Sequence, residues 1–184
     1  LRHGITLNLK KSRFFCTEPT EFLGMYVDGE GVSPCPQLMQ GIDSLGHPTS
    51  VKDLRAALGL FGYHRRFIRN YAEKVFLLNE AVKRGEGFSG LSKEEEKEFE
   101  NLRAELKEFF MTNKKIYFVD FTKPIEVYTD ASARGIGGFA FQRDGDLLKP
   151  ICYVSRSVTD AEKKYHELMM GGEKGCGAEI RQLE

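Results

Sequence analysis

The sequence has no apolar run near the roughly 18 residues that a membrane-spanning helix requires, and it opens without the basic and then apolar segment of a secretory signal. We therefore expect an intracellular protein, in the cytoplasm or the nucleus, that is not secreted and has no membrane partner. The first residue is not methionine, which suggests that the chain starts inside a longer polypeptide.

Cysteine pairs and net charge are missing as well. The four cysteines are far apart and form no C-x-x-C pair of the kind that binds zinc or does redox chemistry. The 27 basic and 27 acidic residues give a net charge of zero, so only a local basic patch could indicate a nucleic-acid partner. A chain of 184 residues can form one large domain or two small ones, and we expect two modest units.

The first part of the chain has the pattern of strands. Apolar and polar residues alternate around Leu7 and Leu9, and residues 21–27 form a second strand-like stretch that leads into Asp28. Asp28-Gly29 predicts the tight turn of a hairpin that ends near Val32. Prolines and glycines in residues 33–50 predict a connection that contains one short helix.

Capping boxes mark where the helices begin. In each of them a serine or threonine is followed three positions later by an acidic residue. The pairs are Ser50 and Asp53, Ser92 and Glu95, and Thr159 and Glu162. Apolar residues at helical spacing follow the first two pairs, and Gly62 predicts a bend in the first helical segment.

Strand periodicity returns after Lys114. Alternation in residues 125–130, a glycine-rich segment at 135–141 and a further segment at 150–155 predict three antiparallel strands. The expected fold class is therefore α+β.

Four segments, taken together and in this order, resemble the reverse transcriptases of gypsy-like LTR retrotransposons. They are Phe22-Leu23-Gly24 with Val27 and Gly31, the segment LGLFGYHRRFI at 58–68, VDFTKP at 119–124 leading into TDAS at 129–132, and PICYVSR at 150–156 with Glu162 and Tyr165 behind it. Each segment is weakly specific by itself, but their order and spacing are highly specific.

The resemblance implies three parts. Residues 1–48 would be the end of the polymerase palm with a hairpin like the primer grip. Residues 49–113 would be a helical thumb and connection segment, and residues 114–184 a truncated ribonuclease H-like domain with a three-stranded antiparallel sheet and one helix. The parent would be an RNA-directed DNA polymerase with ribonuclease H activity, and the partners an RNA-DNA hybrid or primer-template and the remainder of the Pol polyprotein.

Ribonuclease H chemistry of this family requires carboxylates that hold two Mg²⁺ ions. Asp130, which ends a predicted strand and precedes small residues, matches the family's first metal ligand. Met169 occupies the family's second ligand position, so the candidates are Glu173, four residues later, and Glu167, two residues earlier. In this family the polymerase site and the ribonuclease H site use further catalytic aspartates, which have no counterpart in the 184 residues. The fragment alone is therefore expected to catalyse neither DNA synthesis nor RNA hydrolysis.

Two sets of residues are expected to contact nucleic acid. By resemblance, the hairpin with Phe22, Leu23 and Gly24 positions the primer terminus. Arg65, Arg66 and Arg69 lie in a locally basic stretch and could contact backbone phosphates, although they could equally form a solvated face.

The residues between these arginines have more ordinary predicted roles. Phe67, Ile68 and Tyr71 are expected in the core rather than as stacking platforms, and His64 is expected to be partly exposed on a helix.

Two other interpretations remain open at this point. The chain could be a non-catalytic nucleic-acid-binding remnant of a retroelement, or the product of a decayed element with no function.

Overall fold

The computed structural model describes residues 4, 6–112, 114–132, 134–159 and 161–162. Its helices and two antiparallel sheets confirm the α+β class. The strands are β1 Thr20–Phe22, β2 Met25–Val27, β3 Gly31–Pro34, β4 Ile116–Tyr117, β5 Glu126–Ala131, β6 Gly135–Asp144 and β7 Leu147–Ser157. The helices are α1 Pro36–Ser44, α2 Val51–Tyr63, α3 Tyr71–Lys74, α4 Phe76–Lys83 and α5 Lys93–Met111, with 3-10 turns at Arg65–Phe67 and Gly85–Gly87.

The first sheet has the order β1-β2-β3-β4, and it corrects one prediction. The stretch that looked like a single strand before Asp28 is two strands, because the chain reverses at Leu23-Gly24 and pairs Phe22 with Met25. The predicted turn at Asp28 is confirmed: its Oδ1 accepts hydrogen bonds from the backbone N–H groups of Glu30 and Gly31, at 2.8 Å and 2.9 Å.

The strand predicted around Leu7 and Leu9 was wrong. The described residues before Thr20 form no strand, and both leucines are largely exposed. Alternation stabilises a strand only when one face is buried and a neighbouring strand pairs with it, and neither condition holds here.

Strand β4 is the last strand of the first sheet. It pairs with β3, so that a methyl group on Gly31 would lie 2.2 Å from the carbonyl oxygen of Ile116. Glycine is therefore required at this close approach. Since β4 comes from the third predicted part of the chain, this sheet crosses the predicted boundary after residue 113, and the division into three parts stays a prediction.

The helices enclose the main core. Leu54, Phe61, Phe99, Leu102 and Leu106 are completely buried between α2 and α5, together with side chains of α1 and α4. The first two predicted capping boxes are confirmed at the starts of these two helices. Helix α2 ends at Tyr63, close to the predicted bend, and a 3-10 turn follows.

The second sheet has the order β5-β6-β7 and confirms the three predicted antiparallel strands. Stacked rings join the strands: the centroids of Phe139 and Tyr153 are 4.8 Å apart, and those of Tyr128 and Phe141 are 5.2 Å apart. Such aromatic neighbours across strands stabilise a sheet beyond the area that they bury.

The loop before β5 is attached to this sheet by the buried Gln142. Its amide nitrogen donates to the carbonyl oxygens of Asp120 and Lys123, at 2.7 Å and 2.9 Å, and its amide oxygen accepts from the N–H of Asp120 at 2.9 Å. Nearby, the ammonium groups of Lys123 and Lys149 lower the pKa of Asp144 to about 2.

None of the described helices combines the length and the apolar character that crossing a membrane would require.

Candidate nucleic-acid interface

A groove of about 830 Å³ runs between the β1-β2 hairpin, the end of α2 and strand β7. Most of its lining is apolar. Within the described part of the chain, the groove is lined by two arginines, Arg65 and Arg66, and by no acidic residue. The groove is therefore suited to a partner that presents both negative charge and flat apolar surface.

The hairpin forms one wall of this groove. Phe22 and Leu23 are 64% and 70% exposed, which is unusual for apolar side chains of this size. They stand beside the turn residue Gly24, whose φ of +66° favours glycine. The structure thus brings Phe22, Leu23 and Gly24, which the resemblance assigns to the primer grip, to one edge of the groove.

The two arginines form the opposite wall. They lie in the 3-10 turn Arg65–Phe67, both are exposed, and neither makes an ion pair with another described residue. Phe67 and Ile68 are buried, as predicted, and the ring of Phe67 lies 4.9 Å from that of Phe109. Burying this apolar pair holds the turn in place while its two guanidinium groups remain exposed.

His64 corrects a prediction, because it is only 4% exposed rather than partly exposed. It follows α2, where its ring lies 4.8 Å from that of Tyr63 and is stacked on that of Phe67. Burial, with a smaller contribution from the charge of Arg66, lowers the pKa of His64 to about 4. No local pattern around His64 indicated this burial, which depends on the fold around the 3-10 turn.

Arg69 does not join the other two arginines. It lines a separate cleft of about 210 Å³ that also contains Asp130 and Phe139. Its backbone N–H donates to Oε1 of Glu105 at 3.0 Å, and the other oxygen of that carboxylate pairs with Lys74. Glu105 of α5 therefore fixes the chain that leads from Arg69 into α3.

Asp130 lies near the end of β5, opposite Gly137 of β6, and is exposed. A cavity of about 10 Å³ beside it is lined by Asn70, Glu73 and Ser155, among others. A methyl group on Gly137 would lie only 2.4 Å from the side-chain oxygen of Asn70. The approach of the α3 segment to Asp130 therefore depends on this glycine.

The donors around Asp130 are oxygen atoms, the type that Mg²⁺ prefers. Within the described ranges, however, no three His, Cys, Asp or Glu side chains converge as a metal site would require. Glu173 and Glu167, the candidates for the second ligand, lie outside the described residues. The assignment of Asp130 as a magnesium ligand therefore stays a prediction.

Sequence reasoning missed Asn70 and Glu73 as neighbours of Asp130, and it missed Tyr63 as a neighbour of the hairpin. The Tyr63 hydroxyl donates a hydrogen bond to the backbone carbonyl of Leu23, 40 positions away. These contacts join residues far apart in the chain, so no local pattern could have indicated them.

Comparison with known proteins identifies the second half of the chain first. A family profile described as an RNase H-like domain found in reverse transcriptase matches residues 91–170. The profile therefore covers α5 and the second sheet, including Asp130.

Curated relatives extend the similarity over most of the chain. The retrovirus-related Pol polyprotein from transposon opus of Drosophila melanogaster is 32% identical over 169 residues, covering 88% of this chain and 17% of the relative. The corresponding polyprotein from transposon gypsy of the same organism is 31% identical, covering 88% of this chain and 16% of the relative. The chain thus spans less than a fifth of the length of these relatives.

A solved structure shows the same fold. The foamy viral protease-reverse transcriptase, determined in complex with an RNA/DNA hybrid, superposes with a TM-score of 0.62 at 23% identity. The match covers 83% of this chain and 22% of that one.

Proposed function

The chain belongs to the reverse transcriptase and RNase H-like region of gypsy-type retrotransposon Pol polyproteins, and we propose that its part in such a polyprotein is to hold a nucleic-acid duplex. The duplex would be an RNA-DNA hybrid or a primer-template, and the rest of the Pol polyprotein would be the other partner. The site of action would be intracellular, in the cytoplasm or the nucleus.

The groove between the hairpin and the 3-10 turn is the observation on which this proposal rests. Arg65 and Arg66 are exposed, have no acidic partner among the described side chains, and face an apolar wall that includes Phe22. Guanidinium groups bind backbone phosphates, while exposed aromatic and apolar side chains pack on sugars and bases. The foamy viral enzyme of similar fold was solved with a hybrid duplex, which agrees with this use of the fold.

Catalysis by the whole polyprotein would be RNA-templated DNA synthesis and hydrolysis of RNA in hybrids. We assign Asp130 as the first Mg²⁺ ligand of the ribonuclease H site, with Glu173, or Glu167 in its place, as the second. Bound magnesium would activate water and stabilise the leaving oxygen. Arg69, which lies in the cleft of Asp130, would contact the phosphate backbone near that site.

The 184 residues by themselves are not expected to catalyse either reaction. The sequence contains no adjacent pair of aspartates of the kind that the polymerase site of this family uses. Reading the genomic frame on both sides of the coding segment tests whether the chain is part of a complete Pol polyprotein. An intact Pol frame supports it, whereas stop codons on either side would favour a binding remnant.

Binding is tested by measuring the affinity of the full chain for a fluorescent RNA-DNA hybrid over a series of salt concentrations. Each phosphate contact contributes about 0.9 to the slope of log affinity against log salt. The double variant Arg65→Ala, Arg66→Ala should therefore reduce the slope by about 1.8.

The matched control is the double variant Lys93→Ala, Lys97→Ala. These lysines lie on α5, do not line the groove and make no ion pair within the described ranges. This double variant should leave the slope of log affinity against log salt unchanged. An equal effect of both double variants, or no hybrid binding by the parent chain, would refute the proposed function.

A further inference from the structure

The turn that carries the groove-lining hairpin adopts a backbone conformation that its sequence does not favour. Leu23 and Gly24 have φ values of +50° and +66°, and positive φ at both central residues is characteristic of a type I′ turn. Glycine adopts this conformation readily, and asparagine or aspartate is the usual residue before it. Leucine rarely adopts a positive φ, so an interaction from outside the hairpin must hold Leu23 in place.

Tyr63 provides that interaction. Its hydroxyl donates to the backbone carbonyl of Leu23, and a methyl group on Gly24 would lie 3.8 Å from the same hydroxyl oxygen. The tyrosine ring is fixed from behind by the edge-to-face contact with the buried His64, at 4.8 Å and 85°. A side chain anchored at the end of α2 thus reaches across and holds the tip of the hairpin.

The position of Tyr63 joins the two walls of the groove. Arg65 and Arg66 follow it within the next three positions, and Phe22 and Leu23 lie on the opposite wall. Among the described hydrogen bonds, only this one links the Leu23 carbonyl to the helical segment. Tyr63 therefore ties the tip of the hairpin to the segment that carries the two arginines.

We infer that Tyr63 is a positioning residue, which holds the Leu23-Gly24 turn so that the end of a bound duplex strand is placed between the hairpin and the arginine pair. This inference rests on the proposed function. Tyr63 acts through the turn, whereas the arginines supply most of the affinity through phosphate contacts.

The test uses the full chain and an RNA-DNA hybrid with 2-aminopurine as the 3′-terminal base of the DNA strand. Two quantities are measured: the dissociation constant, and the change in 2-aminopurine emission on binding. Tyr63→Phe should remove at least half of the emission change, while Kd changes less than about threefold, because the arginine-phosphate contacts that dominate affinity remain. Tyr26→Phe, on strand β2 and outside the groove lining, is the matched control and should alter neither quantity.

A second pair of variants separates the turn from a direct contact between the hydroxyl and nucleic acid. Leu23→Asn is the reference, because Leu23 itself lines the groove. Asn-Gly forms a type I′ turn without external support, so adding Tyr63→Phe to Leu23→Asn should cause no further loss of the emission change. A further loss in this double variant, or an unchanged emission signal in Tyr63→Phe alone, would overturn the inference while leaving the arginine result intact. Absence of hybrid binding by the parent chain would instead refute the proposed function, and the inference with it.

Discussion

Folding stability should depend on pH through His64. The residue is buried, its Nδ1 has no hydrogen-bond partner in the described part of the chain, and its pKa is about 4 in the folded state. In the unfolded chain the pKa returns to about 6.5. Between these two values the unfolded state binds more protons, so stability is present above pH 6.5 and is lost as the pH falls.

The magnitude follows from the difference in pKa. A shift from 6.5 to about 4 corresponds to about 3 kcal/mol in total, of which about 2 kcal/mol should be lost between pH 7.5 and pH 5. The depressed pKa values of Asp144 and Glu162, both about 2, do not interfere, because their contributions are lost only as the pH falls through the carboxylate range below this interval.

Urea unfolding monitored by circular dichroism at pH 7.5 and pH 5 measures this difference. His64→Phe, which keeps a ring against Phe67 and removes the unpartnered nitrogen, should reduce the loss to below about 0.5 kcal/mol. The exposed His47, which contacts Glu96 and Glu100, supplies the control. His47→Ala should still lose most of the same unfolding free energy between pH 7.5 and pH 5. Equal pH dependence in the parent chain and in His64→Phe would refute the reasoning.

Three further predictions concern the stability of the fold, and each is checked by urea unfolding. Gly31→Ala should cost more than about 3 kcal/mol, because the added methyl group meets the backbone of Ile116 and neither strand can yield. Ser50→Ala should cost about 1 kcal/mol through loss of the helix cap, and a neutral result would contradict the observed capping box. Gln142→Leu should cost at least about 2 kcal/mol, since it leaves two carbonyl groups and one N–H without their buried partner.

The elements with strong local signals were predictable from the sequence. Helices α2 and α5 each combine a capping box with apolar residues at helical spacing, and both signals act within a few residues of each other. Strands β5 to β7 follow from alternation and glycine-rich turns in the same way.

The features that were missed depend on contacts between distant residues. The reversal at Leu23-Gly24 opposes the intrinsic preference of leucine and is held by Tyr63, so this turn could not be predicted from its own residues. The burial of His64 and the approach of Asn70 to Asp130 are likewise produced by packing between elements.

The location of a bound strand end tests the central claim most directly. A DNA strand with 4-thiothymidine at its 3′ end, annealed to RNA, is crosslinked to the full chain, and the adduct is mapped by mass spectrometry. The account predicts adducts within Phe22 to Gly24 or Tyr63 to Arg66, the two walls of the groove. Adducts on the surface of α5, or around the exposed Val127 and Val154 of the second sheet, would contradict it.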